Sequence, residues 1–361
     1  MAKHFRPLKI SDIRNETADC VSISFHIPEE WKEEFTYQAG QNITLRSLVG
    51  GEELRRSYSI CSSPLENELR VAIKKQENGR FSSHAHAFFK PVMELDVLAP
   101  TGNFILNLQP ENKKHYIAFA AGSGITPVIS LLKTILNKEP LSHFTLVYGN
   151  RNRSSVIFRE ELFALKNDYP ERFQLILVFS REKMDAPLFE GRIDASKCEM
   201  IFTHIIPLAA DQEYLLCGPA AMIFAVRDWL MAKNISDKKI HFELFSDPGE
   251  SGSTYKKINR EPEQSVGKKS RVTIRLDGVS SDFQIPVEGP TILEAAIQAG
   301  ADLPYACRAG VCASCRAKLV EGKVTMDQNY ALAEEELEEG FILACQSHPA
   351  SDKLVIDFDI R

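Results

Sequence analysis

Four cysteines near the carboxyl end constrain this chain more than any other feature. Cys307, Cys312 and Cys315 stand in Cys-x4-Cys-x2-Cys order, and Cys345 follows beyond an acidic stretch. That is the plant-type ligand spacing of a [2Fe-2S] cluster, four thiolates with two on each iron. The alternative is structural zinc, which usually takes paired Cys-x2-Cys knuckles. Here only Cys312 and Cys315 make one. Most residues between the ligands are small, Ala309, Gly310, Ala313 and Ser314, and Ala306 stands just ahead of the first. A loop that turns its N–H groups toward bridging sulfides has no room for bulk there. A one-electron carrier also needs a source of single electrons, which the rest of the chain must supply.

At 361 residues the chain is long enough for two or three domains. Its 44% hydrophobic and 25% charged residues are ordinary for a globular protein. No apolar run approaches the ~18 residues that cross a bilayer, and Met1–Pro7 reads as no secretory signal. We therefore expect no membrane insertion and a reducing, cytoplasmic setting, which suits free thiols. Cys20, Cys61 and Cys198 are most simply small buried residues. Residues 271–361 hold 8 Lys and Arg against 15 Asp and Glu, so the whole of the −6 net charge sits there and the rest of the chain is near neutral. An acidic module can be steered toward a basic patch on a partner, although acidity also serves solubility. No basic, aromatic-interleaved patch points to nucleic acid.

Residues 1–110 read as strands. Val21, Ile23, Phe25 and Ile27 alternate with polar neighbours, the pattern of a half-buried strand. Further strands are expected at 42–48, 54–60, 69–75 and 94–98, punctuated by Gly and Pro, which suggests an antiparallel barrel. The segment Arg55–Ile60 and the later run Asn78–Ser83 carry its polar chemistry. Arg56 offers a planar fork to phosphates. Tyr58 can lie flat on a ring system. Gly79, Phe81 and Ser82 lie in a turn whose N–H groups suit a pyrophosphate. Taken alone, these residues more readily describe an ion-paired Arg and a packed Tyr. His84 and His86 read as surface or capping residues.

Residues 111–245 alternate strands and helices. Tyr116–Ala120 is a short apolar strand. Ala121–Pro127 follows, with Gly122, Gly124 and Thr126, and then an amphipathic helix. Strand, Gly-x-Gly loop and helix form the layout that receives a phosphate, although the third glycine of the dinucleotide fingerprint is missing. Further strands are expected at 143–149, 173–179 and 213–217, and helices at 155–167 and 219–232. This argues for a parallel sheet covered on both faces, a Rossmann-like α/β domain with ligands at the carboxyl ends of its strands. Those ends carry Tyr148–Arg151, Ser180-Arg181 and Cys217-Gly218-Pro219. Cys217 and the arginines have ordinary readings too, as a core thiol and surface charge.

Residues 246–270 are polar and without periodicity, and we expect a flexible linker. From 271 onward, two strands flank Asp277-Gly278, Thr291 and Glu294 form a capping box ahead of a helix at 292–299, and a strand over 353–359 closes the sheet. The acidic run Glu334–Glu339 reads as a solvated helix face, with partner docking as the sharper alternative.

In this order, the motifs resemble the ferredoxin–NADP⁺ reductase superfamily, here followed by a plant-type ferredoxin. The resemblance spans essentially the whole chain: a flavin-binding antiparallel β-barrel at 1–110, an NADP-binding α/β domain at 111–245 and a β-grasp ferredoxin domain at 271–361. It implies FAD, held by Arg56, Tyr58, Gly79, Phe81 and Ser82, with Ser59 and Cys217 near the point of hydride transfer. It places NADPH on Gly122, Gly124, Thr126, Arg151, Ser180, Arg181, Gly218 and Pro219, with NADH open as the alternative donor, and gives Phe245 as a cover for the flavin. It implies cluster ligation by Cys307, Cys312, Cys315 and Cys345, and no catalytic acid or base. The strings Gly51–Arg56, Cys217–Met222 and Asp302–Cys307 are similar to reductase subunits of multicomponent oxygenases, above all those that serve phenylacetyl-CoA ring epoxidation. That likeness implies a di-iron, multisubunit oxygenase partner that docks on the acidic ferredoxin domain. Reductases of other oxygenases, hydroxylases or desaturases share these motifs.

Overall fold

The computed structural model describes residues 4–245 and 269–360. The first sheet is antiparallel and built from β1 (Phe5–Thr17), β2 (Cys20–His26), β3 (Asn42–Val49), β4 (Glu52–Ser59), β5 (Leu69–Lys74) and β6 (Glu94–Thr101), in the order β4-β3-β6-β1-β2-β5. A bridge between Ile60 and Val71 joins its two ends and closes the barrel. Leu8, Ile23, Phe25, Ile43, Leu45 and Val71 fill the interior. Helix α1 (Arg80–Phe88) contributes Phe81 and Ala85 to the same core. The long β1 was not legible in the sequence. Register shifts at Ile10/Asp12 and Asn15/Thr17 break its alternation. The polar face of β2 is also buried, contrary to the half-buried expectation. Arg70 on β5 lies across it, donating to Ser22 Oγ at 2.9 Å, and Ser11 meets Ser24 at 2.7 Å.

The second sheet is parallel. It comprises β7 (His115–Ala121), β8 (His143–Asn150), β9 (Phe173–Phe179), β10 (Gln212–Gly218) and β11 (Ile240–Leu244), in the order β11-β10-β7-β8-β9. Both faces are apolar. Tyr116, Ala118 and Ala120 of β7 meet α2 (Ile125–Lys138) and α3 (Arg159–Asp168), while Ile117 and Phe119 face α4 (Ala195–His204) and α5 (Ala220–Ala232). The strand order reverses between β7 and β10, a topological switch point where such sheets bind ligands. The helix expected at 155–167 starts only at Arg159, because Phe158 stands in the left-handed region at φ 59°.

The third sheet is mixed, with β12 (Lys269–Leu276), β13 (Val279–Pro286), β14 (Arg316–Glu321), β16 (Phe341–Leu343) and β18 (Lys353–Asp357) in the order β13-β12-β18-β14-β16. A small ladder pairs β15 (Val324–Met326) with β17 (Ser347–Pro349). Helix α6 (Ile292–Gln298) packs its buried face on the sheet, and both bonds of the Thr291–Glu294 capping box form. Asp277 and Gly278, at φ 56° and 72°, make the two-residue hairpin turn. The expected linker lies outside the described residues except for Lys269 and Ser270, which open β12. Among the described residues, no helix is long and apolar enough to cross a membrane.

Candidate electron-transfer site

At the barrel's edge, β4 and α1 bring the first group of expected residues together. The Tyr58 and Phe81 rings lie 5.9 Å apart. Gly79 precedes α1, and no side chain caps the helix, so its first-turn N–H groups are offered to an outside acceptor. The expected turn is thus the start of a helix. Ser82 Oγ accepts from the Gln76 N–H at 3.0 Å, and a Cβ on Gly79 would fall 2.5 Å from that oxygen. Arg56 uses one N–H on the Arg55 carbonyl, at 2.7 Å, and its side chain is exposed. A bare helix start, a hydroxyl and an exposed guanidinium fit a pyrophosphate, and Tyr58 supplies the aromatic wall. His86 is held by the Ile73 carbonyl at 2.9 Å, and the His84 ring packs on Phe88.

Two strand ends complete this edge. In the parallel register Cys217 of β10 pairs with Glu243 of β11. Ser59 Oγ at the end of β4 donates to Glu243 Oε2 at 2.8 Å, joining barrel to sheet. Glu243 is buried, and burial raises its pKa to about 8 against the hydrogen bonds from Ser59 and Asn42. It therefore carries a proton at neutral pH. Cys217 is fully buried, and burial, then the neighbouring Glu243, raises its thiol well above the ordinary range. So Ser59 and Cys217 do converge, through a carboxyl that the sequence reading passed over. Its signal was present: Ile240, Phe242 and Leu244 alternate toward the core, which turns Glu243 to the opposite face. Phe245 follows directly and is 41% exposed.

The nucleotide loops gather at the switch point. Gly124 abuts β10 so closely that a Cβ would lie 2.1 Å from the Cys217 carbonyl oxygen. Gly122 adopts φ 53°, and its carbonyl accepts from Tyr148 OH at 2.9 Å. Thr126 Oγ1 donates to the Ser123 carbonyl. No side chain caps the turn at Gly122–Gly124 or the helix behind it, which again suits a phosphate. At the outer strands the Arg181 N–H donates to the Arg151 carbonyl at 2.8 Å, and Ser180 bonds Asn150, so the two arginines stand side by side and exposed. Gly218 and Pro219 lead from β10 into α5.

The cysteine loop closes on itself. Arg308, Gly310 and Ala313 take φ 57°, 72° and 55°, coiling the backbone tightly, and the Ala309 N–H donates to Cys307 Sγ at 3.3 Å. The four thiols face one another: Cys307 lies near Cys312 and Cys345, and Cys345 near Cys315. An all-thiol set in Cys-x4-Cys-x2-Cys…Cys order fits a two-iron cluster better than zinc.

This loop is seated against the other two sheets. Ser314 Oγ meets Thr44 Oγ1 of β3 at 3.2 Å in a buried contact. Val311, Cys307, Ala309 and Tyr330 join the apolar cluster around α4 and α5. The acidic run forms α7 (Glu334–Glu338); Glu334, Glu335, Glu338 and Glu339 are exposed, as the solvated-face reading expects, and Glu336 is the exception. It accepts from Arg316 Nε at 2.7 Å and from Asn103 Nδ2 at 2.5 Å, tying the ferredoxin lobe to the barrel.

Comparison with known proteins agrees with this geometry. Residues 7–105 match the oxidoreductase FAD-binding domain, 119–228 the oxidoreductase NAD-binding domain and 274–350 the 2Fe-2S iron-sulfur cluster binding domain. The chain is 42% identical over 357 residues to one of the subunits of the 1,2-phenylacetyl-CoA epoxidase of Escherichia coli, covering 99% of this chain and 98% of that protein. It is 33% identical to the ferredoxin reductase component of the 3-ketosteroid-9-alpha-monooxygenase of Rhodococcus rhodochrous, over 97% and 96% of the two chains. The fold follows phthalate dioxygenase reductase with a TM-score of 0.58, at 24% identity and 98% coverage of both chains. The chain belongs to the ferredoxin–NADP⁺ reductase-like flavoprotein reductases that carry a carboxy-terminal [2Fe-2S] ferredoxin domain, and it is an NAD(P)H-dependent electron-transfer reductase of the multicomponent oxygenases.

Proposed function

We propose that this reductase passes electrons from NADPH through FAD and the [2Fe-2S] cluster to a di-iron oxygenase that epoxidises the ring of phenylacetyl-CoA. The observation that carries the reading is the full-length likeness to a component of the 1,2-phenylacetyl-CoA epoxidase. Bound FAD accepts electrons in pairs and releases them singly, and the cluster carries one at a time. The residues do the rest. Arg56 and the bare start of α1, with Gly79, Phe81 and Ser82, hold the flavin's pyrophosphate. Tyr58 and Phe245 flank its ring. Gly122, Gly124, Thr126, Gly218 and Pro219 receive the nucleotide, and Arg151, Ser180 and Arg181 grip a 2′-phosphate. Ser59 orients the reacting edge, and the buried Glu243 carboxyl behind it accepts from the Ser59 hydroxyl and fixes that orientation. Cys217 packs the donor side. Cys307, Cys312, Cys315 and Cys345 hold the cluster, and the acidic ferredoxin lobe receives the oxygenase.

The test is reconstitution. The purified reductase is mixed with a phenylacetyl-CoA epoxidase oxygenase, phenylacetyl-CoA and NADPH, and epoxide is measured against NADPH consumed. Tight coupling supports the reading. Coupling only with a different oxygenase, such as a steroid hydroxylase, moves the chain to another member of the same class. In the same assay Arg181→Ala should raise the KM for NADPH about tenfold and leave NADH unaffected, the size expected of a lost charge-assisted phosphate contact.

A further inference from the structure

Arg55 stands one residue before the arginine assigned to the flavin phosphates, yet it points the other way. Its guanidinium is 6% exposed and reaches from the barrel's surface to the cluster-bearing lobe. Nη1 donates to the Leu303 carbonyl at 3.0 Å, and Nη2 donates to Asp302 Oδ1 at 2.8 Å. Nε donates to Glu53 Oε1 at 2.8 Å, which fixes the fork from behind. The group also lies 4.3 Å from the centre of the Tyr305 ring and 4.9 Å from that of Phe5. Asp302–Tyr305 is the stretch that runs directly into Cys307. One barrel side chain therefore grips, by two hydrogen bonds and a ring, the segment that carries the first thiol of the cluster loop.

We propose that Arg55 is a positioning residue that seats the ferredoxin lobe on the flavin barrel, and that loosening its grip uncovers the face through which the cluster meets its acceptor. The inference rests on the electron path proposed above. Electron transfer falls steeply with distance, so a lobe held by a planar fork transfers better than one that drifts. The contact is nevertheless releasable. Asp302 is 74% exposed on the lobe side, so water can take over its half of the pair. The neighbouring contacts, His4 with Asp277 and Asn103 with Glu336, are likewise side-chain pairs at exposed positions. The seated face is also the one an acceptor needs. The cluster loop touches both other lobes, through Ser314 on Thr44 of the barrel and Val311 in the apolar cluster around α4 and α5.

The experiment compares wild type, Arg55→Ala, Arg55→Lys and Asp302→Asn as holoproteins with matched FAD and iron content. Anaerobic stopped-flow mixing with NADPH separates flavin bleaching from cluster bleaching. Arg55→Ala should leave flavin bleaching and ferricyanide reduction unchanged and slow cluster bleaching at least about tenfold; Arg55→Lys and Asp302→Asn should fall between. Hydrogen exchange of the amides at 302–306 should accelerate in the same order. Reoxidation of a chemically pre-reduced cluster by cytochrome c should become faster in Arg55→Ala. Unchanged cluster bleaching and exchange in both Arg55→Ala and Asp302→Asn would overturn the seat. Slower bleaching with an unchanged cytochrome c rate would support the seat and overturn the release. Should Arg55→Ala not fold, Asp302→Asn, at an exposed position, decides alone. Failure of NADPH to bleach the wild-type cluster would instead overturn the electron path.

Discussion

The barrel meets the other two lobes in two contrasting ways. Against the nucleotide lobe it shares a core. Ala39, Cys61, Ala72 and Phe104 belong to the same apolar cluster as Val128, Leu131 and Ile135 of α2. Buried neutral hydrogen bonds stitch the seam: Ser130 Oγ to the Ser62 carbonyl at 2.6 Å, Ser63 to Thr134 at 2.8 Å, and Ser59 to Glu243. Against the ferredoxin lobe it offers mostly charged and polar side chains at the rim, around one small contact at Thr44 and Ser314. The first seam resembles the inside of a domain and the second a transient interface. The difference follows the chemistry. Pyridine nucleotide and flavin must stay in fixed register, while an electron carrier has to meet its donor and its acceptor in turn.

The largest test removes the carrier. Cys312→Ser should cut cytochrome c reduction about 100-fold and leave NADPH-to-ferricyanide turnover within about twofold. Loss of both in a folded, flavin-loaded variant would break the division between the seams. The next test sharpens the first seam through its proton. The pKa of Glu243 in the folded chain, about 8, lies above its ordinary 4.5. Its contribution to stability is therefore complete below the unfolded value and is lost as pH rises through about 8. Wild type should lose stability across this window with a slope on the order of 1 kcal/mol per pH unit, while Glu243→Gln stays flat. Thermal melts from pH 5 to 9 read both. Third, Ser130→Ala strands the Ser62 carbonyl and should cost about 1 kcal/mol in urea unfolding, whereas Asp302→Asn should leave the midpoint in place. Equal shifts would erase the contrast. The smallest effect concerns salt. At saturating NADPH, raising ionic strength from about 0.05 to 0.5 M should slow cluster bleaching roughly two- to threefold and spare flavin bleaching, because only the exposed pairs are screened.

Much of this was legible in the sequence because it is local. The cysteine spacing, the strand–Gly-x-Gly–helix unit, the Asp277-Gly278 turn and the Thr291–Glu294 box are each short-range features of the chain, and their residue types have few other uses. What escaped was long-range. Arg55 and Asp302 are 247 residues apart, and Ser59 and Glu243 are 184 apart, so neither pairing leaves a mark in any sequence window. Bulged β1 escaped because two register shifts erased its period. The acidic run hid one exception for a related reason. Five glutamates read as one solvated face, whereas Glu336 alone among them is claimed by Arg316 and Asn103.

The Cys217–Glu243 pairing also sets a rule for length. Side chains on a strand alternate, so sliding β11 by a single residue would turn Leu244 or Phe242 toward Ser59 and drive the carboxyl into the apolar packing around α5. The turn at Ser236–Lys239 that feeds this strand therefore cannot gain or lose one residue without silencing the site, while a change of two would preserve the face and move only the depth. In a lineage of such reductases, insertions of odd length that this strand would have to absorb should be purged from this turn.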